Sequence, residues 1–229
     1  MKNIKSMIKL KTIEELLVEK HPTSSWSGKS FEEYSGAFYE RLEKEIPPRF
    51  RGAEIVDDGL KKFSQTFDGT KGLYLFGDCG VGKTRNLYAI YKLFKANEIL
   101  NVTKGENTIL RHSIMKRIIL PVRFTNITDF FSDLKQTFDD SDSEGIIQAK
   151  IKSNIILFID DFGAEKTTEW TIEATYRLIN YRYEWIIPTF FSSNLSLQEL
   201  SKNIGDRFSS RIAEMCEVLK LEGNDRRIK

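Results

Sequence analysis

An eight-residue stretch, G-D-C-G-V-G-K-T at Gly77–Thr84, constrains this chain of 229 residues more than any other feature. It matches the pattern G-x-x-x-x-G-K-[ST] and stands between an apolar strand pattern at 73–76 and a helical pattern at 84–96. In such a loop the glycines let backbone N–H groups point at phosphate oxygens, and the helix start adds its positive dipole end. We therefore predict that Lys83 contacts the β- and γ-phosphates of a nucleotide and that Thr84 is a Mg²⁺ ligand. The predicted nucleotide-binding residues are Gly77, Asp78, Cys79, Gly80, Val81, Gly82, Lys83, Thr84 and Arg85.

A second motif, I-I-L-F-I-D-D at 155–161, is an apolar strand pattern that ends in two carboxylates. Two aspartates after a strand are also typical of a helix N-cap, but a phosphate loop earlier in the chain favours a metal site. Asp160 is then predicted to hold Mg²⁺ beside Thr84. Asp161 is predicted to orient or deprotonate the attacking water.

A third polar position, Asn194, follows the predicted strand Thr189–Ser193. At the carboxyl edge of a parallel sheet its side chain could lie beside the γ-phosphate and help to position water. It could equally be a turn residue before the next helix, because Ser196–Glu199 reads S-L-Q-E, a capping box. The residues alone leave both interpretations open.

Two arginines, Arg207 and Arg211, are spaced to lie on one face of a short helix. Surface arginines are usually solvated. An arginine that completes the site of a neighbouring subunit would need this kind of exposed and rigid mounting.

The alternation of strand and helix patterns from residue 72 onward predicts a doubly wound α/β sandwich with a parallel sheet. Helices are predicted at 127–138 and 168–184, and residues 97–120 are predicted to be an irregular, basic insertion. Two helices are expected earlier, the second starting with a capping box at Ser30 and stopping before Pro47. We expect residues 1–46 to be a helical extension that could dock a partner, and residues 47–229 to be the nucleotide-binding domain.

Composition narrows the classes of function. A net charge of +2 gives no global basic field, so nucleic acid would have to be bound by a local patch. Two cysteines are too few for a disulfide framework, and the apolar run Ile155–Ile159 is too short to span a bilayer. We therefore expect a cytoplasmic protein with no membrane partner.

Taken together, these motifs resemble the AAA+ ATPases, and within them the bacterial helicase loaders of the DnaC/DnaI type and their IstB-like relatives. The phrase D-D-F-G-A-E-K followed by S-S-N-L is more particular to this group than the phosphate loop, which marks only the superfamily. The stretches that carry the likeness are I-P-P-R-F-R at 46–51, the phosphate loop, D-D-F-G-A-E-K at 160–166, N-Y-R-Y at 180–183, S-S-N-L-S-L-Q-E-L at 192–200 and D-R-F-S-S-R-I at 206–212.

The resemblance implies an αβα AAA+ sandwich with a five-stranded parallel sheet in the order 5-1-4-3-2. It makes Asn194 the sensor 1 residue and Arg211 the arginine finger, with Arg207 the second candidate. It also implies a weak ATPase that uses ATP and Mg²⁺ and is stimulated by assembly or DNA, and copies that form a ring or spiral when ATP is bound. The implied partners are a replicative helicase of the DnaB type and single-stranded DNA.

Some features depart from the family pattern. The first 78 residues contain no cysteine, so a zinc site there is not expected, and the short stretch after the last strand predicts a lid domain that is reduced or absent. Single-stranded DNA needs charge and stacking surface, which Phe130, Phe131 and Lys135 or the 104–117 segment could offer, although a packed helix and a solvated loop explain them equally well.

Two other functions remain compatible with the sequence. An IstB-like transposition ATPase would bind duplex DNA, which the near-neutral charge disfavours. A non-hydrolysing ATP switch is compatible with Asp161, because many AAA+ proteins have Glu at that position. No N-K-x-D motif supports a GTPase.

Overall fold

Five short strands form one parallel sheet in the order β2-β3-β4-β1-β5. This is the predicted order 5-1-4-3-2 read from the opposite edge, and it confirms the α/β fold class. Every residue of β3 and β4 is buried, which explains their unbroken apolar patterns, since helices cover both faces of such a sheet. The strands are β1 (Gly72–Phe76), β2 (Val122–Asn126), β3 (Ile156–Asp160), β4 (Thr189–Ser193) and β5 (Cys216–Lys220).

The structure is a computed structural model that describes residues 31–102, 121–136, 149, 151–153 and 155–225. No helix among them combines the length and apolar composition needed to cross a membrane. The first predicted helix and the cap at Ser30 lie outside the described residues, as does Phe138. The helices are α1 (Phe31–Lys44), α2 (Asp58–Thr66), α3 (Lys83–Val102), α4 (Ile127–Lys135), α5 (Glu169–Glu184), α6 (Leu197–Ile204) and α7 (Asp206–Met215), with a 3₁₀ turn at Pro48–Phe50.

Helix α3 is longer than the sequence pattern predicted. It continues through Val102, so the prediction of irregular structure is wrong for 97–102. The physical reason is that no glycine or proline interrupts the chain before Gly105, so nothing local stops the helix. The rest of the predicted insertion, 103–120, lies outside the described residues.

The chain divides into two compact units. One contains the described residues up to Asp68 and those from Tyr88 to the end of α3, and the other contains Gly69–Leu87 and the described residues from Pro121. In the first unit, Lys92 forms an ion pair with Glu43 at 2.7 Å. The second unit contains the whole sheet and the phosphate loop.

The core of the second unit is built from aromatic and branched side chains on the sheet. Phe158 of β3 stacks on Phe190 of β4 with ring centroids 4.3 Å apart. On α4, Phe130 and Phe131 are both buried and belong to the core. These two rings therefore offer no stacking surface for DNA, and the packed-helix interpretation of that segment holds.

One charged side chain, Arg182 on α5, is fully buried in this core. Its Nε donates to the Thr189 hydroxyl at 2.5 Å, and its Nη2 donates to the carbonyls of Ile155 at 2.7 Å and Pro188 at 3.0 Å. Burial lowers the pKa of the Arg182 guanidinium to about 9, which is still well above neutral pH, so the group remains charged. Arg182 thus joins α5 to the chain entering β3 and β4.

We expect Arg182→Met to lower the free energy of unfolding by about 3–5 kcal/mol, because it leaves several buried acceptors without a donor. Urea denaturation followed by circular dichroism measures this loss. Arg177→Met on the same helix is the matched control. Arg177 is partly exposed, and its Nη1 lies 4.0 Å from Glu173 Oε1, so their surface ion pair is a long one. It should change stability by less than about 0.5 kcal/mol. Equal stability of the two variants would contradict a structural role for Arg182.

Candidate functional site

The phosphate loop joins the carboxyl end of β1 to the start of α3, as predicted. Its backbone needs glycine at three places: Gly80 and Gly82 have φ of +80° and +98°, and a Cβ on Gly77 would lie 2.3 Å from the Leu221 carbonyl oxygen. The chain leaving β5 passes beside the loop, because the Leu221 N–H donates to the Phe76 carbonyl at 2.7 Å. The loop is therefore held on the β5 side of β1.

The Lys83 side chain is buried and lies inside this loop. Its ammonium donates to the carbonyls of Gly77 at 2.8 Å and Asp78 at 2.7 Å. These bonds fix the charge where the loop N–H groups and the start of α3 converge, which is the arrangement that cradles phosphate. Asp78, Cys79 and Arg85 are exposed around it.

Asp160, the last residue of β3, lies beside the phosphate loop. The Thr84 hydroxyl donates to its Oδ1 at 3.1 Å, and the Ser192 hydroxyl donates to the same oxygen. Burial raises the pKa of the Asp160 carboxyl, and the neighbouring Asp161 charge raises it further. A divalent cation would stabilise the ionised form. A hydroxyl and a carboxylate at this spacing are the oxygen donors that Mg²⁺ uses when phosphates and waters complete its shell, so Thr84 and Asp160 fit this ion.

Asp161 adopts an uncommon backbone conformation, with φ of +55°. Its N–H donates to the Ser192 hydroxyl oxygen at 3.1 Å, and its Oδ2 accepts from Asn126 Nδ2 at 3.2 Å. Asn126 also caps α4, since its Oδ1 accepts the Thr128 N–H at 2.9 Å. The carboxylate is thus oriented by a contact from β2, while the Asp161 backbone is held by a contact from β4.

Sequence reasoning missed both Ser192 and Asn126. A signal existed for Asn126: it is the last residue of β2, and parallel strands bring their carboxyl ends to the same edge of the sheet. In the register of the sheet Asn126 lies opposite Asp160. For Ser192 no comparable signal existed, because its position inside β4 is typical of core.

Asn194 directly follows β4 and is exposed. The capping box predicted after it is present, since Ser196 and Glu199 exchange both bonds at the start of α6. Because Ser196 supplies the cap itself, the helix start does not depend on Asn194. Its location at the carboxyl edge of the sheet is the one that a water-positioning side chain needs.

The two candidate arginines on α7 have different surroundings. Arg207 is exposed at the first turn, where it lines a groove between α5 and the α6–α7 junction. Arg211 is half-buried, with its guanidinium carbon 4.9 Å from the ring centroid of Tyr176. Arg211 is thus the more rigidly held of the two, whereas Arg207 is the more exposed.

Known proteins resemble this chain in sequence and in fold. No family model matches the chain. It is 30% identical over 205 residues to the replicative helicase loader DnaI of Bacillus subtilis, covering 84% of this chain and 58% of DnaI. It is 31% identical over 172 residues to the phage-like element PBSX protein XkdC of the same organism, covering 71% of this chain and 54% of that protein. The chain thus spans a little over half the length of these relatives.

The crystal structure of the DnaC helicase loader shares the fold, with a TM-score of 0.56 and 24% identity over 77% of this chain and 100% of that one. The sheet order and the phosphate loop match the fold of the AAA+ class of P-loop proteins. Within that class it is homologous to the helicase loaders of the DnaC/DnaI type, which confirms the resemblance that its motifs predicted.

Proposed function

We propose that this chain is an ATP-dependent helicase loader for DNA replication, which binds a replicative helicase of the DnaB type and single-stranded DNA. The observation that carries the proposal is the hydrogen bond from Thr84 of the phosphate loop to Asp160, which a second carboxylate follows, in a chain related to DnaI.

In this proposal Gly77–Thr84 and Arg85 bind the phosphates of ATP. Thr84 and Asp160 would hold Mg²⁺, which supplies charge neutralisation at the phosphates when bound. Asp161, aimed by Asn126, accepts a proton from the attacking water or orients it, while Asn194 positions the water from the end of β4.

The last catalytic group of the proposed ATPase, an arginine, comes from another copy of the chain. Arg211 would stabilise the charge that develops on the γ-phosphate of a neighbour's ATP. Hydrolysis is therefore weak in isolated copies and rises when ATP-bound copies assemble into a ring or spiral. Contact with DNA would stimulate it by favouring that assembly.

We expect the full-length chain to load its cognate hexameric helicase onto single-stranded DNA when ATP is present. Capture of the helicase from the source cell, followed by a loading assay with the purified pair, measures this. The Lys83→Ala chain is the control and should load little helicase. The proposal is contradicted if neither helicase binding nor loading responds to the chain, and stimulation of a transposase instead would favour the IstB-like alternative.

A further inference from the structure

Two tyrosine rings of α5 enclose the guanidinium of Arg211. The guanidinium carbon lies 4.9 Å from the Tyr176 centroid and 5.8 Å from the Tyr183 centroid. These tyrosines are seven residues apart, two helical turns, so they share the face of α5 that packs against α7. We call this pair the tyrosine cradle.

The tyrosine cradle holds the arginine without neutralising it. Among the described residues no carboxylate forms an ion pair with Arg211, and its Nη1 is buried without a hydrogen-bond partner. The nearest acid along α7, Glu214, instead accepts a hydrogen bond from the Tyr183 hydroxyl at 2.7 Å. A guanidinium stacks well on aromatic faces, and stacking leaves its charge and those N–H donors that are not buried available for an anion.

We propose that Tyr176 and Tyr183 are positioning residues that aim Arg211 at the γ-phosphate of ATP bound to a neighbouring copy. The inference rests on the proposed function, in which Arg211 acts between subunits. The two rings limit the positions that the guanidinium can take, while the Tyr183–Glu214 bond occupies the acid that could otherwise pair with the arginine within the chain.

The test uses mixed assemblies of two variants. Asp161→Ala copies bind ATP and assemble but do not hydrolyse it, and they still donate Arg211. Arg211→Ala copies bind and can hydrolyse ATP but donate no arginine. Turnover in the mixture therefore arises only where a donor copy serves an acceptor copy. Adding Tyr176→Leu to the donor should lower kcat roughly 10²-fold with KM unchanged, since a small misplacement of a catalytic group has that effect. Adding it to the acceptor should change nothing.

Two matched variants separate positioning from folding. Tyr176→Phe in the donor keeps the ring face and should restore turnover. Tyr181→Leu replaces another tyrosine of α5, whose ring centroid lies 5.9 Å from that of Trp185. A donor with this substitution should give the same turnover as the unmodified donor. Equal losses of kcat from donor and acceptor Tyr176→Leu, or no loss from either, would overturn the positioning role while leaving the loader proposal intact. Wild-type chain that shows no turnover dependent on assembly would instead contradict the proposed ATPase, and this inference with it.

Discussion

Replacing Lys83 with alanine is expected to abolish tight binding of ATP. The ammonium would make charge-assisted bonds to the β- and γ-phosphates, each contributing about 1.5–3 kcal/mol. Losing two of them corresponds to a roughly 10²–10⁴-fold rise in Kd. Isothermal titration of wild-type and Lys83→Ala chains with ATP and Mg²⁺ measures the change.

The expected loss of ATP affinity has a second physical source. In the structure Lys83 bonds the carbonyls of Gly77 and Asp78, so alanine also removes the cation that holds the two ends of the loop together. Lys83→Arg separates the two contributions. It keeps the charge, but its planar head does not match the compact buried site, so we expect affinity between those of wild type and alanine.

Lys71→Ala is the matched control, because it removes the same charge from an exposed position just before β1. It should leave ATP affinity unchanged. Circular dichroism of all the variants should coincide, since none of these substitutions empties the hydrophobic core. Undiminished ATP affinity of a folded Lys83→Ala chain would contradict the assignment of the phosphate loop.

The phosphate loop could be predicted from sequence because its chemistry is local. A strand, a glycine turn, a lysine and a helix start follow one another within a dozen or so residues, and each constrains the next. The sheet order followed from the family resemblance, since an alternation of strands and helices indicates a parallel sheet without specifying the order of its strands.

The contacts around Asp161 could not be predicted in the same way. Asn126 and Ser192 are on different strands, and their meeting with Asp161 depends on the register of β2, β3 and β4. A serine inside a buried strand looks like core, and only the structure shows that its hydroxyl bonds Asp160. The surroundings of Arg211 could not be predicted either. Helical spacing placed Arg211 on one face with Arg207, but it did not show that this face would meet Tyr176 and Tyr183.

Removing the Arg211 side chain is expected to lower turnover in the ATP-bound assembly by about 10³–10⁵-fold, which is typical for loss of an arginine finger. The affinity for ATP should stay at the wild-type value, because Arg211 lies on α7 and acts, in the proposed function, on a neighbour's nucleotide. Single-turnover kinetics at saturating ATP separates this loss in rate from any loss in binding.

Arg207→Ala is the control that decides between the two arginines. Arg207 is exposed at the first turn of α7, whereas Arg211 is enclosed by the tyrosine cradle. A side chain with many accessible rotamers loses more entropy on reaching a phosphate than one already held in place. We therefore expect the larger loss of turnover from Arg211→Ala and a minor one from Arg207→Ala. The reverse ranking, in assemblies of equal size by light scattering, would move the finger to Arg207 and leave the cradled arginine a structural contact between α5 and α7.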